Sequence, residues 1–276
     1  DLAIFGDVSH RDDANFDTAI EGNFGVGSLV QNVWIEHAKV GMWIDGPTDG
    51  LYVVGMRIRD TFADGVNIHK GTHGTRFDQS HVRNTGDDGL AMFSEGQSVT
   101  GCAFTFDTVT LPMLANDVGL YGGTDNRVED NLLSDTVNAS AGIAVSTRFS
   151  PVPFAGTTSV QRNTLTRTGG YEHNWMTAFG AIWLYADSAA LAAPVLIKDV
   201  DVVDSSYQGL LLSGGNAIGQ VTFDGVHVTG AGSYGIDLST TGSATFQNVT
   251  VSGASMGALN NPGGYTLVRG AGNSGF

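Results

Sequence analysis

The sequence predicts an all-β chain wound as a right-handed, single-stranded parallel β-helix of about nine coils, and three observations predict it. A glycine followed by an apolar alternation recurs in nine places. A second series of short strands interleaves with the first. Between them lie only turn residues, with none of the long amphipathic helices that a leucine-rich or ankyrin repeat would need. A period in the twenties made of strands and turns alone is one coil of a parallel β-helix. A β-sandwich would also carry many short strands, but not the same phrase in every period.

Taken in chain order, the first series begins at Gly41-Met-Trp-Ile, Gly65-Val-Asn-Ile and Gly89-Leu-Ala-Met. It continues at Gly119-Leu-Tyr, Gly142-Ile-Ala-Val, Gly180-Ala-Ile-Trp, Gly209-Leu-Leu-Leu, Gly235-Ile-Asp-Leu and Gly257-Ala-Leu. The second series runs LVQNVWIEH, YVVGMRIRD, RFDQSHVRN, RVEDNLLSD, VQRNTLTRT, LIKDVDVVD, VTFDGVHVT and ATFQNVTVS. Each period thus holds two or three strands, with Asn, Asp, Gly or Thr at the bends. Nine coils spaced like neighbouring strands make a rod of about 43 Å. Two offsets are long, and their extra residues are expected to leave the coil as loops at about 94–116 and 149–178. Both follow the Asp-rich coils and are expected to wall one side of a cleft. The second carries Tyr171, His173 and Trp175.

Composition narrows the function. The 276 residues, 41% hydrophobic and 15% charged, suffice for one elongated domain over 1–276. With 39 glycines but 6 prolines, the glycines punctuate a repeat and do not make a linker. No apolar run reaches the roughly 18 residues of a membrane span, so no membrane partner is expected. A net charge of −15 with 13 Lys plus Arg argues against nucleic acid and against a polyuronate. The single Cys102 excludes an intrachain disulfide framework and a Cys-rich metal site. The opening DLAIFGDVSH reads as strand, with no basic-then-apolar leader. The chain is accordingly expected to begin inside a longer protein and to lack N-terminal coils or modules of that parent. A monomer is expected.

The candidate chemistry lies in carboxylates. Aligned on the glycine phrase, Ala63-Asp64-Gly65 falls beneath Asp87-Asp88-Gly89, so Asp64 and Asp88 are stacked and Asp87 sits beside them. Two ionised carboxylates one strand spacing apart repel by roughly 3.5 kcal/mol at an effective dielectric of about 20. A single Asp-Gly pair is an ordinary turn, but three acids converging across two coils need a proton-transfer task or a metal to justify their repulsion. A structural calcium ion is the rival use; no other cofactor is required. Strict alternation from inward Val66 and Ile68 would send Asp64 into the core, so Asp64 and Asp88 are placed at the bend before the strand.

The same alternation turns Trp43, Asn67 and Ala91 outward in one stack, with Asp45, His69 and Phe93 in the next. Extended upward, the first stack reaches Tyr121, Ala144 and Trp183. Aromatic faces accept the apolar faces of pyranose rings and polar groups accept hydroxyls, so this row is expected to bind sugar. Arg148, His173 and Trp175 are added from the loops. On the second sheet, Glu36, Arg59 and Arg83 read as a cross-coil ion pair, and His37, Asp60 and Asn84 as a polar bend ladder.

The run WIEHAKVGMWIDGPTDGLYVVGMRIRDTFADGVNIHKGT, then RNTGDDGLAMFS, resembles the catalytic β-helix of glycoside hydrolase family 87, the bacterial α-1,3-glucanases and mycodextranases. GLYGGTDNRVEDN, GIAVSTRF and GAIWLYAD extend the resemblance over essentially the whole chain. The architecture is the pectin-lyase-like one, shared more distantly with polygalacturonases. Those enzymes add Gly-His-Gly and Arg-x-Lys for a uronate, where this chain has Tyr121-Gly122-Gly123 and no Arg-x-Lys. The resemblance implies that Asp64, Asp87 and Asp88 are the catalytic acids, with a neutral α-glucan as substrate, in a secreted bacterial protein. The expected reaction is inverting and endo-acting: water between Asp64 and Asp88, and Asp87 as general acid, raised by its two neighbours and standing well apart from them. The alternatives are a mycodextranase acting on mixed α-1,3/α-1,4 glucan, a non-catalytic glycan-binding β-helix, and a polysaccharide lyase.

Overall fold

In the computed structural model, which describes residues 2–276, the chain is a right-handed parallel β-helix of about ten turns. One face is a ten-stranded parallel sheet running from Thr18–Asn23 through Val40–Asp45, Val66–His69, Leu90–Phe93, Val118–Tyr121, Ile143–Ser146, Ile182–Tyr185, Leu210–Ser213 and Tyr234–Ser239 to Gly257–Asn260. Of the remaining strands, 18 form a sheet over the other faces, as with Arg76–Asp78 and His81–Arg83 in one coil, and four form two small two-stranded sheets. The strand Thr18–Asn23 is one more than the glycine phrase marks, because it has no leading glycine.

The interior is one stacked apolar column from Val33 to Tyr265, with Ile68, Met92, Leu120 and Val145 in successive coils. Phe223 and Phe246 stack at 4.8 Å within it. At the bends, Asn32, His37, Asp60 and Asn84 adopt φ between 53° and 56°. That left-handed region is one Asn and Asp tolerate well, which is why they punctuate the strands. Asn84 donates to Asp60 at 2.5 Å, and Arg59 donates to Glu36 at 2.5 Å, so the ladder and the ion pair each form between two of their three expected members; Arg83 pairs with no carboxylate among the described residues.

The recurring glycine has a steric cause. A Cβ on Gly65 would stand 2.5 Å from Val82 Cγ1 and 2.5 Å from the Gly89 carbonyl. Gly65 and Val66 therefore both face inward, alternation lapses there, and Asp64 turns out of the core. One coil breaks the pattern. Leu90 pairs with Val118, so Asp117 occupies the glycine corner and Gly119 lies at the outward position beside Ala91. Aligning Gly119 with the other glycines slips the coil by two residues. Tyr121 accordingly belongs to the stack of Phe93 and Ser146, not to that of Asn67 and Ala144.

The same slip inflated the first loop. Residues 94–116 include the regular strands Ala103–Thr105 and Thr108–Thr110, and the extra length lies after them. The second stretch likewise contains Thr158–Gln161 and Thr164–Thr166, followed by a protruding antiparallel hairpin of Tyr171–Glu172 and Thr177–Ala178. Among the described residues, no helix is long and apolar enough to cross a membrane.

Candidate active site

Both loops rise over the outward face of the ten-stranded sheet and enclose a cleft of about 1060 Å³. Asp64, Asp87 and Asp88 line it together, each offering a carboxylate oxygen within 4.8 Å of the others. The bend holds Asp64 and Asp88 outward, and Asp87 follows from the same turn. Asp87 was expected to stand well apart; instead its carboxylate converges on the pair, because the bend interrupts the alternation that would have turned adjacent side chains away.

Each carboxylate has a different setting. Asp88 is buried, and its Oδ1 accepts the Asn116 backbone N–H and Nδ2–H, each at 2.8 Å. Its Oδ2 accepts the Tyr121 hydroxyl at 2.9 Å. Burial first, then the charge of Asp87, pushes the Asp88 carboxyl up to about 7 against the pull of those bonds. Asp64 is also buried and accepts only Asn67 Nδ2–H, at 2.7 Å. Burial, then Asp87 and Asp88, holds its carboxyl well above the carboxylate range. Asp87 is the more open of the three, and Arg11 Nη1 donates to its Oδ2 at 2.5 Å.

Three of these contacts escaped the sequence reading. Arg11 lies 76 residues from Asp87 on an irregular N-terminal loop, and no periodicity connects them. Asn116 was findable: with the register corrected, it stands directly above Asp88 in the column that Asp64 begins. Gly119 was read as punctuation, yet a Cβ there would meet Asp88 Oδ2 at 2.6 Å and the Tyr121 ring at 2.8 Å. Its lack of a side chain is what lets Tyr121 reach Asp88.

Of the residues expected to bind sugar, Trp43, Asn67, Phe93, Tyr121, Arg148, His173, Trp175 and Trp183 line the cleft. Asp45 and His69 do not. His69 is buried between the rings of Trp43 and Phe93, with centroids at 4.8 and 5.6 Å, and its Nδ1 lies 2.8 Å from Asp45. The pair stands behind the aromatic wall, because side chains of the second stack close over one another. Trp183 is packed against Phe179 and Tyr185 at 4.2 and 4.5 Å. Arg148 lies over Phe149 and Trp175 at 4.6 and 4.3 Å. Stacked this way and without a carboxylate partner among the described residues, its N–H groups stay available to hydroxyls.

Among the described residues, two clusters could hold a cation by proximity, the three aspartates and Glu36 with His37 and Asp60. Arg11 lies against the first, and Arg59 lies 2.5 Å from Glu36 and 3.8 Å from Asp60 in the second.

Comparison with known proteins agrees with this geometry. The family model for the α-1,3-glucanase catalytic domain D2 matches residues 1–266. The catalytic unit of a thermostable GH87 α-1,3-glucanase from Streptomyces thermodiastaticus is 38% identical, with a TM-score of 0.93 over 99% of this chain and 53% of that one. A GH87 α-1,3-glucanase catalytic domain with an aspartate replaced by alanine, in complex with tetrasaccharides, is 28% identical, with a TM-score of 0.93 over 99% and 54%. Another, in complex with nigerose, is 29% identical, with a TM-score of 0.90 over 99% and 54%. The chain spans about half the length of these solved relatives. No curated protein matches it.

Proposed function

This chain belongs to the α-1,3-glucanase catalytic-domain family, glycoside hydrolase family 87, and from that premise we propose that it hydrolyses α-1,3-glucosidic bonds in a neutral α-glucan with inversion. The observation that carries the reading is the convergence of Asp64, Asp87 and Asp88 in a cleft walled by aromatic rings. The aspartates replaced by alanine in the solved relatives have the same spacing, one residue and then an adjacent pair 23 and 24 positions later.

In the proposed reaction, the buried pair Asp64 and Asp88 holds the attacking water. One of the two, in its ionised form, takes a proton from that water. Asp87, the more open carboxyl, donates to the departing oxygen, which requires Arg11 to give way as the glucan enters. The Arg11 contact is the observation that favours the opposite division, with Asp87 as the base and the buried pair as the proton donor.

Carboxyl oxygens this close are nearer the spacing of about 5–5.5 Å of retaining enzymes than the wider gap of inverting ones. A covalent route, however, needs a carboxylate free to attack carbon. Both Asp88 oxygens already accept hydrogen bonds, Asp87 is spent as the proton donor, and burial holds the Asp64 carboxyl well above the carboxylate range. Water is the nucleophile that remains. The product anomer tests this: proton NMR of a fresh digest is expected to show the β-anomer first, and an α-signal preceding mutarotation would overturn inversion.

A mixed α-1,3/α-1,4 glucan fits the same groove, and a product analysis on nigeran beside insoluble α-1,3-glucan separates the two. Insoluble polymer as substrate implies work outside the cell. No metal enters the scheme. Calcium is the competing use of the two acidic clusters, and the arginines against them already supply countercharge.

A further inference from the structure

The groove does not end at the carboxylates. Beyond Trp175 a second cavity of about 270 Å³ opens over later coils, and Trp175, Phe179 and Trp183 line both spaces. Its floor comes from outward positions of Leu210–Ser213 and Tyr234–Ser239, where Leu211 pairs with Asp237 and Ser213 with Ser239. Four coil steps separate Leu90–Phe93 from Leu210–Ser213, which is about 19 Å at one strand spacing per coil.

The polar groups on this floor are incompletely satisfied. Asp237 is buried with no cationic partner among the described residues. Its Oδ1 accepts the Ser239 hydroxyl at 2.6 Å and the Asn260 amide at 3.1 Å, and its Oδ2 accepts Gln208 Nε2–H at 3.3 Å. Gln208 Oε1 is buried and has no partner among the described residues. Ser213 Oγ accepts the Trp183 indole N–H at 2.8 Å, which leaves its own proton to donate. A buried acceptor without a donor, as at Gln208 Oε1, calls for a ligand or water that supplies one. A carboxylate, an amide oxygen and a serine beside aromatic rings suit a hydroxylated ring with an apolar face. A polyanion would meet Asp237 and a chain of net charge −15.

We propose that this cavity is a remote binding site for further glucose units of the same neutral α-glucan chain, crossed over Trp175, so that long chains are held at both ends of the groove. This rests on the proposed hydrolysis. Its consequence is a length dependence that the catalytic cleft alone would not produce.

The test uses the full chain and a graded series of α-1,3-linked gluco-oligosaccharides, from the disaccharide upward. For the wild type, kcat/KM is expected to climb until a substrate spans both cavities. Asp237→Ala is expected to remove that climb, a loss of about ten-fold on the longest substrates, as for one charged hydrogen bond. The shortest substrates should be cleaved as before. Asp237→Asn, which preserves shape, should recover part of the loss. An equal loss at every length means a structural role and overturns the proposal, as does no loss at any length. If the wild type cleaves none of the series, the hydrolysis reading fails, and calorimetry of the same oligosaccharides decides the site alone. Affinity that grows with length and is flattened by Asp237→Ala supports it, and length-independent affinity overturns it.

Discussion

Arg11 decides how the three aspartates divide their work. Its guanidinium stands against Asp87, while burial raises Asp64 and Asp88. Arg11→Met removes the positive charge that stands against Asp87. If Asp87 is the acid, the alkaline limb of the kcat/KM profile moves to higher pH, because the donor stays protonated longer. If Asp87 is the base, the acid limb moves up and activity at low pH is lost. Under the proposed assignment we expect the alkaline limb to move. A shift of the acid limb alone reassigns Asp87.

At the scale of the coil, the corner preceding each outward strand is where sterics and charge meet. Gly65→Ala would press a methyl against Val82 and the Gly89 backbone. Overpacking of this kind costs about 1–3 kcal/mol. Thermal unfolding should show a lower Tm, and activity should fall with it because the same turn carries Asp64; an unchanged Tm would refute the steric account of the repeat. In the next coil but one, Asp117 holds that corner, fully buried with neither carboxylate oxygen bonded among the described residues. Burial, then the charge of Asp135, holds its carboxyl well above the usual range. The folded chain keeps a proton that the unfolded chain releases near pH 4. The contribution of Asp117 to stability is therefore full below that pH and is lost as pH rises toward the folded pKa. Asp117→Ala is expected to raise Tm by roughly 2–6 °C near neutral pH, with a smaller gain in acid. The same gain at both pH values, or a loss, would contradict this.

For the whole molecule, the acidic net charge and the neutral substrate have a joint consequence. A neutral glucan gains nothing from electrostatic steering, so kcat/KM should change by less than about two-fold between dilute and molar salt. Initial rates on a soluble α-1,3-oligosaccharide across that range check it. A steep salt dependence would point to a charged substrate in its place.

The sequence by itself determined the β-helix, most of its coils and the three converging aspartates, because each is written in a period that local sterics impose: an inward glycine, a left-handed bend, an alternating strand. It also brought eight of the ten expected sugar-binding residues to the cleft. It failed where a coil departs from its own phrase. Asp117 in the glycine corner shifted the reading of that coil by two residues, which misplaced Tyr121 and hid Asn116. Only the tertiary structure could seat Arg11 on Asp87, turn Asp45 and His69 behind the wall, draw Asp87 in toward the pair and carry the groove past Trp175. Those arrangements depend on contacts between residues distant in the chain, and a repeat encodes the spacing of neighbours in a column but not what a loop folds back to touch.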